Sequence, residues 1–282
     1  MKPRRTLHSS RNATLDLLAD RLKEELRKIR KKPADDDAIH DARVAARRFL
    51  AAGELWAPHA SAWPALRDRL PRVIRKLGRV RNLDVALDLL RQGMTEDAAA
   101  RRALSRGLRK IRKEERARVA EWLGGGRIDR LDRRMKKVVR DVRLKPVLDA
   151  PSPPDLAPHF ARVASLFAGR SWAPTSEEAH AIRRETRRLR YAHETLEWAY
   201  EPRDFSRVVK VLAEIQELAG EWHDRVILEK FVAKAIRKGR AQAPLSRFLT
   251  RIQSESKDLS GKFVRAAAEL ADLRPLILGE IR

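Results

Sequence analysis

The sequence predicts an all-α protein, and three observations support this fold class. The 282 residues are rich in Ala, Leu, Arg, Glu and Lys, which form helices readily. Apolar residues recur at helical spacing along nearly the whole chain, and no stretch shows the sustained alternation of a strand. A set of polar residues in the first half also recurs about 140 positions later. Together these observations predict two similar four-helix bundles that are related by a pseudo-twofold axis.

Prolines and glycines divide the first half of the chain into five predicted helices. The first helix stops before Pro33, and the second begins in the acidic run at 35–37 because carboxylates stabilise a helix N-terminus. Pro58 ends the second helix, and the glycines at 124–126 end the fourth. Gly78 lies inside the third helix, where it predicts a bend or a close helix crossing because glycine weakens a helix by about 1 kcal/mol. The five predicted helices span residues 14–31, 36–56, 64–91, 95–123 and 129–143.

A proline-rich segment separates the two halves. Four prolines lie between residues 151 and 158, which is typical of a linker. The helical pattern then repeats, with predicted helices at 156–168, 176–200, 204–238 and 245–270. We therefore assign residues 1–149 to the first helical repeat, residues 150–158 to the linker and residues 159–282 to the second repeat.

The chain is strongly basic, with a formal net charge of +24. Such a chain attracts polyanions, and much of its excess charge lies in two blocks, residues 101–118 and 127–145. Charge alone leaves nucleic acid, an anionic membrane surface and inorganic polyphosphate open as partners. The absence of cysteine excludes a disulfide framework and a thiolate metal site. No apolar stretch approaches the ~18 residues that span a bilayer, and no secretory signal is evident, so we expect a cytoplasmic protein without a transmembrane segment.

The recurring polar set lies on the second helix of the first repeat and on the matching helix of the second repeat. His40, Arg43 and Arg47 share one helix face, and each has a counterpart of the same type 140 positions later. Arginine suits phosphate because its planar fork donates two parallel hydrogen bonds, and a histidine beside a polyanion gains protonation. The candidate binding residues on these two helices are His40, Arg43, Arg47, Arg48, His180, Arg183, Arg187, Arg188 and Arg190, and the candidate orienting residues are Glu54 and Glu194.

A second polar element also recurs, with an offset of 142 residues. The segment Leu77–Asn82 has the counterpart Ala219–Asp224, and in each a glycine precedes a basic residue by three positions. A bend at the glycine would aim Arg81 and His223 at the same centre as the arginine stripes, although simple helix packing explains a glycine equally well. The further candidate binding residues are Arg75, Arg79, Arg81, Lys210 and His223, and Asp224 is a candidate orienting residue.

These two doubled motifs resemble those of the CHAD domain, the conserved histidine α-helical domain, over residues 10–272. The resemblance implies two pseudo-symmetric bundles around a basic central cavity that binds inorganic polyphosphate. It also implies that the matching His, Arg and Lys positions line that cavity. One position departs from the family pattern, because this chain has Asn82 where the family usually has Asp, while Asp224 keeps the carboxylate in the second half.

The leading functional hypothesis is therefore non-catalytic binding of inorganic polyphosphate. This function requires no cofactor, and it would allow the protein to associate with polyphosphate granules. A second hypothesis is nucleic-acid binding through the basic block 101–118. However, single-strand binders stack bases on exposed aromatic side chains, and the six tryptophans lie mostly at helix ends or on apolar faces, where burial is expected.

A third hypothesis is a metal-dependent phosphohydrolase, and a fourth is binding to a membrane surface. The pairs His40–Asp41 and His223–Asp224 suggest metal chemistry, but that chemistry needs further ligands. The pairs also do not follow the repeat, because Ala181 matches Asp41 and Arg81 matches His223. We therefore expect neither an enzyme nor a metal site.

Overall fold

The computed structural model is all-α, as the sequence predicts. It describes residues 7–95, 97–144, 155–166, 176–197, 202–239 and 242–278, and every regular element in these ranges is a helix. None of the described helices is long and apolar enough to cross a membrane. The helices are α1 (Leu7–Lys31), α2 (Asp36–Trp56), α3 (Trp63–Gly93), α4 (Ala98–Trp122), α5 (Arg127–Leu144), α6 (Ala157–Ser165), α7 (Ser176–Glu194), α8 (Pro202–Arg237), α9 (Gln242–Asp272) and α10 (Arg274–Leu278).

Most helix ends lie within three residues of their predicted positions, and three differences stand out. α1 begins at Leu7 rather than at residue 14, and the short α10 is absent from the prediction. α7 ends at Glu194 rather than at residue 200. Thr195 explains this earlier end, because its hydroxyl group donates a hydrogen bond of 2.7 Å to the carbonyl of Ala192 and competes with the helical pattern.

The described helices form two compact units. The first unit comprises Met1–Arg81, Glu115–Leu156 and Arg188–Ser206, and the second comprises Asn82–Glu114, Ala157–Arg187 and Arg207–Arg282. Each unit thus draws residues from both halves of the sequence. Residues 150–154 of the predicted linker lie outside the described residues, and the assignment of repeats at 1–149 and 159–282 stays a prediction.

In the first unit, α1 packs against α2 and α5. Its apolar stripe forms part of the core, since Leu15, Leu22, Leu26 and Ile29 are at most 1% exposed. Burial of each such side chain contributes roughly 1.5–3 kcal/mol. α2 begins as predicted in the acidic run, where the carboxylate of Asp35 accepts a hydrogen bond of 2.8 Å from the backbone N–H of Ala38.

Two aromatic contacts in the first unit occupy matching positions of the two sequence repeats. The ring of Trp63 lies so close to Gly53 that a Cβ atom on this glycine would be 2.1 Å from the nearest ring carbon. The counterpart of Gly53 is His193, which is 0% exposed, and the counterpart of Trp63 is Phe205. The rings of His193 and Phe205 stack with centroids 5.0 Å apart. A large ring therefore faces a glycine in one repeat, and a smaller ring faces an imidazole in the other.

The second unit has its own apolar core. It is formed by the end of α3, the first part of α4, the second half of α8 and the start of α9, with Leu90, Leu108, Val232 and Phe248 as representative buried residues. A smaller cluster joins Ala179 of α7, Trp222 of α8 and Leu259 of α9, so that α7 and α8 are held together beside the candidate site.

Part of the basic block 101–118 stabilises the fold. In the second unit, the guanidinium of Arg112 donates a hydrogen bond of 3.2 Å to Asp84, whose side chain is 4% exposed. In the first unit, Arg116 forms an ion pair with Asp36 and donates to the carbonyl of Ala34 at 3.2 Å. The exposed basic residues of the block are Arg102, Arg106, Arg109, Lys110, Lys113 and Arg118.

Candidate functional site

The first unit brings the two predicted polar elements together. Arg43 lies on α2, and a Cβ atom placed on Gly78 of α3 would be 3.8 Å from its Nη2 atom. The guanidinium of Arg43 therefore lies beside Gly78, at a distance at which a methyl group would make ordinary van der Waals contact. Arg81 lies about one helical turn after Gly78 and interacts electrostatically with His40, as do Arg43 and Arg47.

The second unit repeats this arrangement with the matching residues. A Cβ atom on Gly220 of α8 would be 3.9 Å from Nη2 of Arg183 on α7. The rings of His180 and His223 meet edge to face with centroids 4.6 Å apart. The ring of Trp222 also contacts His180 at a centroid distance of 5.9 Å and anchors α8 against α7.

The two clusters have the same arrangement of matching residues. In each unit the glycine of the second element lies against the first arginine of the stripe, and the basic residue three positions later lies near the histidine. The sequence alone predicts each element, but only the structure shows that the pairs 43 with 78 and 183 with 220 are equivalent contacts. This correspondence supports a common role for the two clusters.

Burial and neighbouring cations keep the histidines neutral at pH 7. Partial burial lowers the pKa of His40 below its usual 6.5, and the positive charges of Arg81, Arg43 and Arg47 add to this effect against the opposing charge of Asp41. The pKa of His180 is likewise lowered, first by burial and then by Lys230, Arg183 and Arg184.

His223 is the most perturbed of these groups. Burial lowers its pKa to about 3, and Arg183, His180, Arg187 and Lys230 contribute in that order. The positive charges of this cluster lie close together and repel one another. An anion that binds there would relieve this repulsion and raise the pKa of each imidazole.

Lys230 is a functional candidate that sequence reasoning missed. Its charge acts on both His180 and His223. The signal was present in the sequence, because Lys230 follows His223 by seven residues and so shares its helix face. The position was overlooked because the first repeat has Asp88 there, so that the residue type does not recur.

The predicted orienting glutamates hold arginines of the opposite repeat. In the first unit, Arg48 forms an ion pair of 3.1 Å with Glu194, and Arg188 lies 3.8 Å from Glu54. Arg188 and Glu194 are the sequence counterparts of Arg48 and Glu54, so the two contacts are reciprocal. Arg190 also binds Glu194, with 2.7 Å between Nε and Oε1.

Other predicted site residues occupy more peripheral positions. Arg75, Arg79 and Lys210 are exposed on α3 and α8, and none of the contacts resolved among the described residues joins them to the histidine clusters. Asn82 and Asp224 are half-buried at matching positions of these helices. The roles predicted for all these residues stay predictions.

Asp41 binds Arg21 of α1 at 3.1 Å. Among the described residues, no group of three or more His, Asp and Glu side chains is arranged to hold a metal ion.

Comparisons with known proteins agree on the family and the fold. The sequence profile of the CHAD domain matches residues 13–233. The crystal structure of the CHAD domain from the plant Ricinus communis superimposes with a TM-score of 0.68 and 22% sequence identity, covering 98% of this chain and 93% of that chain. PptA from Streptomyces chartreusis superimposes with a TM-score of 0.70 and 18% identity, covering 94% of this chain and 99% of that chain. No curated protein matches the sequence.

Proposed function

The chain belongs to the CHAD family, and from this membership we propose that it binds inorganic polyphosphate without cleaving it. The observation that carries the proposal is the pair of matching cationic clusters. Each cluster joins a histidine, two arginines of a helical stripe and a further basic residue, and each is built around a glycine. The proposal includes a cytoplasmic location and association with polyphosphate granules.

The chemistry of the clusters fits a repeating phosphate chain. Polyphosphate carries negative charge at every unit and has no base or ring, so arginine and lysine donors suffice to hold it. Because Arg43, Arg47, Arg183 and Arg187 are half-buried, less side-chain freedom is lost when they bind phosphate than at a fully exposed site. Nucleophilic cleavage would need an activated water or a metal, and the described clusters contain cationic donors and imidazoles rather than a carboxylate triad.

The tryptophans favour polyphosphate over single-stranded nucleic acid. Trp63 and Trp222 are buried at 3% and 8% exposure, and Trp56 and Trp122 are partly buried against the core of the first unit. Trp63 and Trp222 therefore offer no open platform for base stacking, and the core covers part of the Trp56 and Trp122 rings. The other two, Trp172 and Trp198, lie outside the described residues.

A titration with phosphate chains of defined length tests the proposed function. We expect calorimetric affinity to rise from orthophosphate through short chains to long chains, because a longer chain presents more phosphate groups to the donors of a cluster without a further loss of translational entropy. Single-stranded DNA and RNA of equal charge should compete poorly at physiological salt. Equal affinity for orthophosphate and long polyphosphate would overturn the proposal, as would displacement of polyphosphate by an equal amount of nucleic acid.

Polyphosphate binding should strengthen as the pH falls from 8 to 6. In the free protein the pKa values of His40, His180 and His223 are lowered, so the imidazoles bind no proton near pH 7. The bound polyanion raises these pKa values, so that binding takes up protons between the free and the bound pKa and affinity falls as the pH rises through that window. Calorimetry in two buffers with different ionisation enthalpies measures the number of protons.

The matched control replaces these three histidines with glutamine. The variant should bind with little pH dependence and without proton uptake, since glutamine keeps a hydrogen-bond donor but does not titrate in this range. Proton release on binding, or an unchanged proton uptake in the variant, would show that the histidines are not part of the binding site.

A further inference from the structure

The first unit contains a recess that lies apart from the predicted polar stripes. Its volume is about 230 Å³, and α1, α3, the end of α4 and the start of α5 line it. This volume is slightly below the ~300–1,000 Å³ of typical small-molecule pockets and corresponds to one ring system rather than to a large ligand. None of the residues named as candidates in the stripes or in the glycine elements lines the recess.

The floor of the recess is apolar. Leu26, Val73 and Leu131 form it, and these side chains also belong to the core of the first unit. Core side chains normally meet other atoms at close-packed density, so a recess bounded by them gains free energy when an apolar group of suitable shape covers them. The floor thus favours a ligand with an apolar, compact part.

The rim of the recess is cationic. Four arginines contribute to it, namely Arg69 and Arg72 of α3 and Arg127 and Arg134 of α5. No carboxylate is present among the lining residues, all of which belong to the described part of the chain. Four guanidinium groups around a space for one ring require a ligand that carries several negative charges close to its ring.

The indole of Trp122 forms one wall, and two cations hold it in place. The Cζ atom of Arg127 lies 5.3 Å from the ring centroid, and the Nζ atom of Lys76 lies 5.9 Å from it. The guanidinium of Arg127 also donates a hydrogen bond to the carbonyl of Trp122. This wall of planar groups, fixed before a ligand arrives, favours a flat ring over an aliphatic chain.

We propose that this recess is a second binding site, specific for a small organic anion that joins one flat ring to two or more phosphate groups, as a nucleoside diphosphate does. The ring lies over the apolar floor beside Trp122, and the phosphates contact the four arginines. Apart from the indole N–H of Trp122, the lining contains no neutral hydrogen-bonding side chain. The site therefore recognises a ring that carries negative charge but discriminates little between bases.

Calorimetric titration with ADP, pyrophosphate and adenosine tests the proposed site. The protein should carry alanine at Arg43, Arg47, Arg183 and Arg187, so that the stripes do not bind the probes. We expect the Kd for ADP to be at least 10-fold lower than that for pyrophosphate or adenosine, and the Kd for GDP to lie within about threefold of that for ADP. ADP that binds no more tightly than pyrophosphate would overturn the proposal, because the ring would then contribute nothing.

Variants assign the binding to the recess. In the same background, Arg72→Ala with Arg134→Ala should raise the Kd for ADP at least 10-fold. The control pair Arg67→Ala with Arg140→Ala, at exposed positions of α3 and α5, should change it less than twofold. ADP should quench tryptophan fluorescence, and Trp122→Phe should remove that signal. Equal effects of the two arginine pairs would show that ADP is attracted by the net charge of the protein alone, and this result would contradict the proposal.

The outcome for this site is independent of the proposed function. Polyphosphate titrations of Arg72→Ala with Arg134→Ala, with the stripes intact, should match those of the parent protein within about threefold. A large loss of polyphosphate affinity in this variant would show that the recess is part of the polyphosphate path and would overturn its assignment as a separate site. A failure of ADP to bind would leave the polyphosphate results unchanged.

Discussion

Replacement of Arg43, Arg47, Arg183 and Arg187 by alanine is expected to weaken the binding of long polyphosphate about 1,000-fold, because each contact between a half-buried guanidinium and phosphate contributes about 1 kcal/mol. The four side chains occupy matching positions in the two clusters, and two of them lie beside Gly78 and Gly220. The measurement is calorimetry at physiological salt, since low salt exaggerates the contribution of exposed charges. Circular dichroism and thermal unfolding confirm that the variant folds.

A second variant with the same net charge distinguishes binding at the two clusters from nonspecific electrostatic attraction of polyphosphate to the basic protein. It carries alanine at four exposed arginines outside both clusters, namely Arg67, Arg102, Arg106 and Arg237. Its polyphosphate affinity should stay within about threefold of the parent. Two of its positions lie in the basic block 101–118, so an equal loss in both variants would favour nonspecific binding by the block and count against the clusters.

Gly53→Ala is expected to destabilise the protein by about 3 kcal/mol, which is large against the stability of an ordinary domain. The new Cβ atom would lie 2.1 and 2.2 Å from two ring carbons of Trp63, and this ring is only 3% exposed. Because the indole is held in a packed core, it cannot rotate away without displacing its neighbours. Chemical denaturation measures the effect as a lower midpoint at an unchanged slope.

The matching contact of the other repeat supplies the control for Gly53. There a phenylalanine, Phe205, faces a side chain larger than glycine, His193. Trp63→Phe should therefore relieve part of the damage, and a double-mutant cycle should give a favourable coupling of at least about 1 kcal/mol between the two substitutions. Strictly additive effects would show that the clash with Trp63 is not the cause of the instability.

Local patterns in the sequence are sufficient to predict the helices. The apolar stripe of α1, the acidic start of α2 and the glycines at 124–126 each specify a helix or its end through interactions within a few residues. The predicted end of α7 was wrong for a reason that is also local. Thr195 donates a hydrogen bond back to Ala192, and the spacing of apolar residues does not show such a bond.

The sequence also predicts the composition of the clusters, since polar residues that recur at a fixed offset stand out against varying apolar neighbours. It missed Lys230, because this residue has no counterpart of its own type in the first repeat. The recess beside Trp122 was likewise beyond sequence reasoning, since its lining comes from four helices that are distant in the chain.

By itself, the sequence determined the fold class, the two polar elements and the family, because helix periodicity and repeated spacing are properties of the chain. Only the tertiary structure decided which groups meet. Glu54 pairs with Arg188 and Glu194 with Arg48, each in the other repeat, while Glu194 also binds Arg190 of its own stripe. Such contacts depend on how helices pack across more than a hundred residues of chain, and no local spacing encodes that packing.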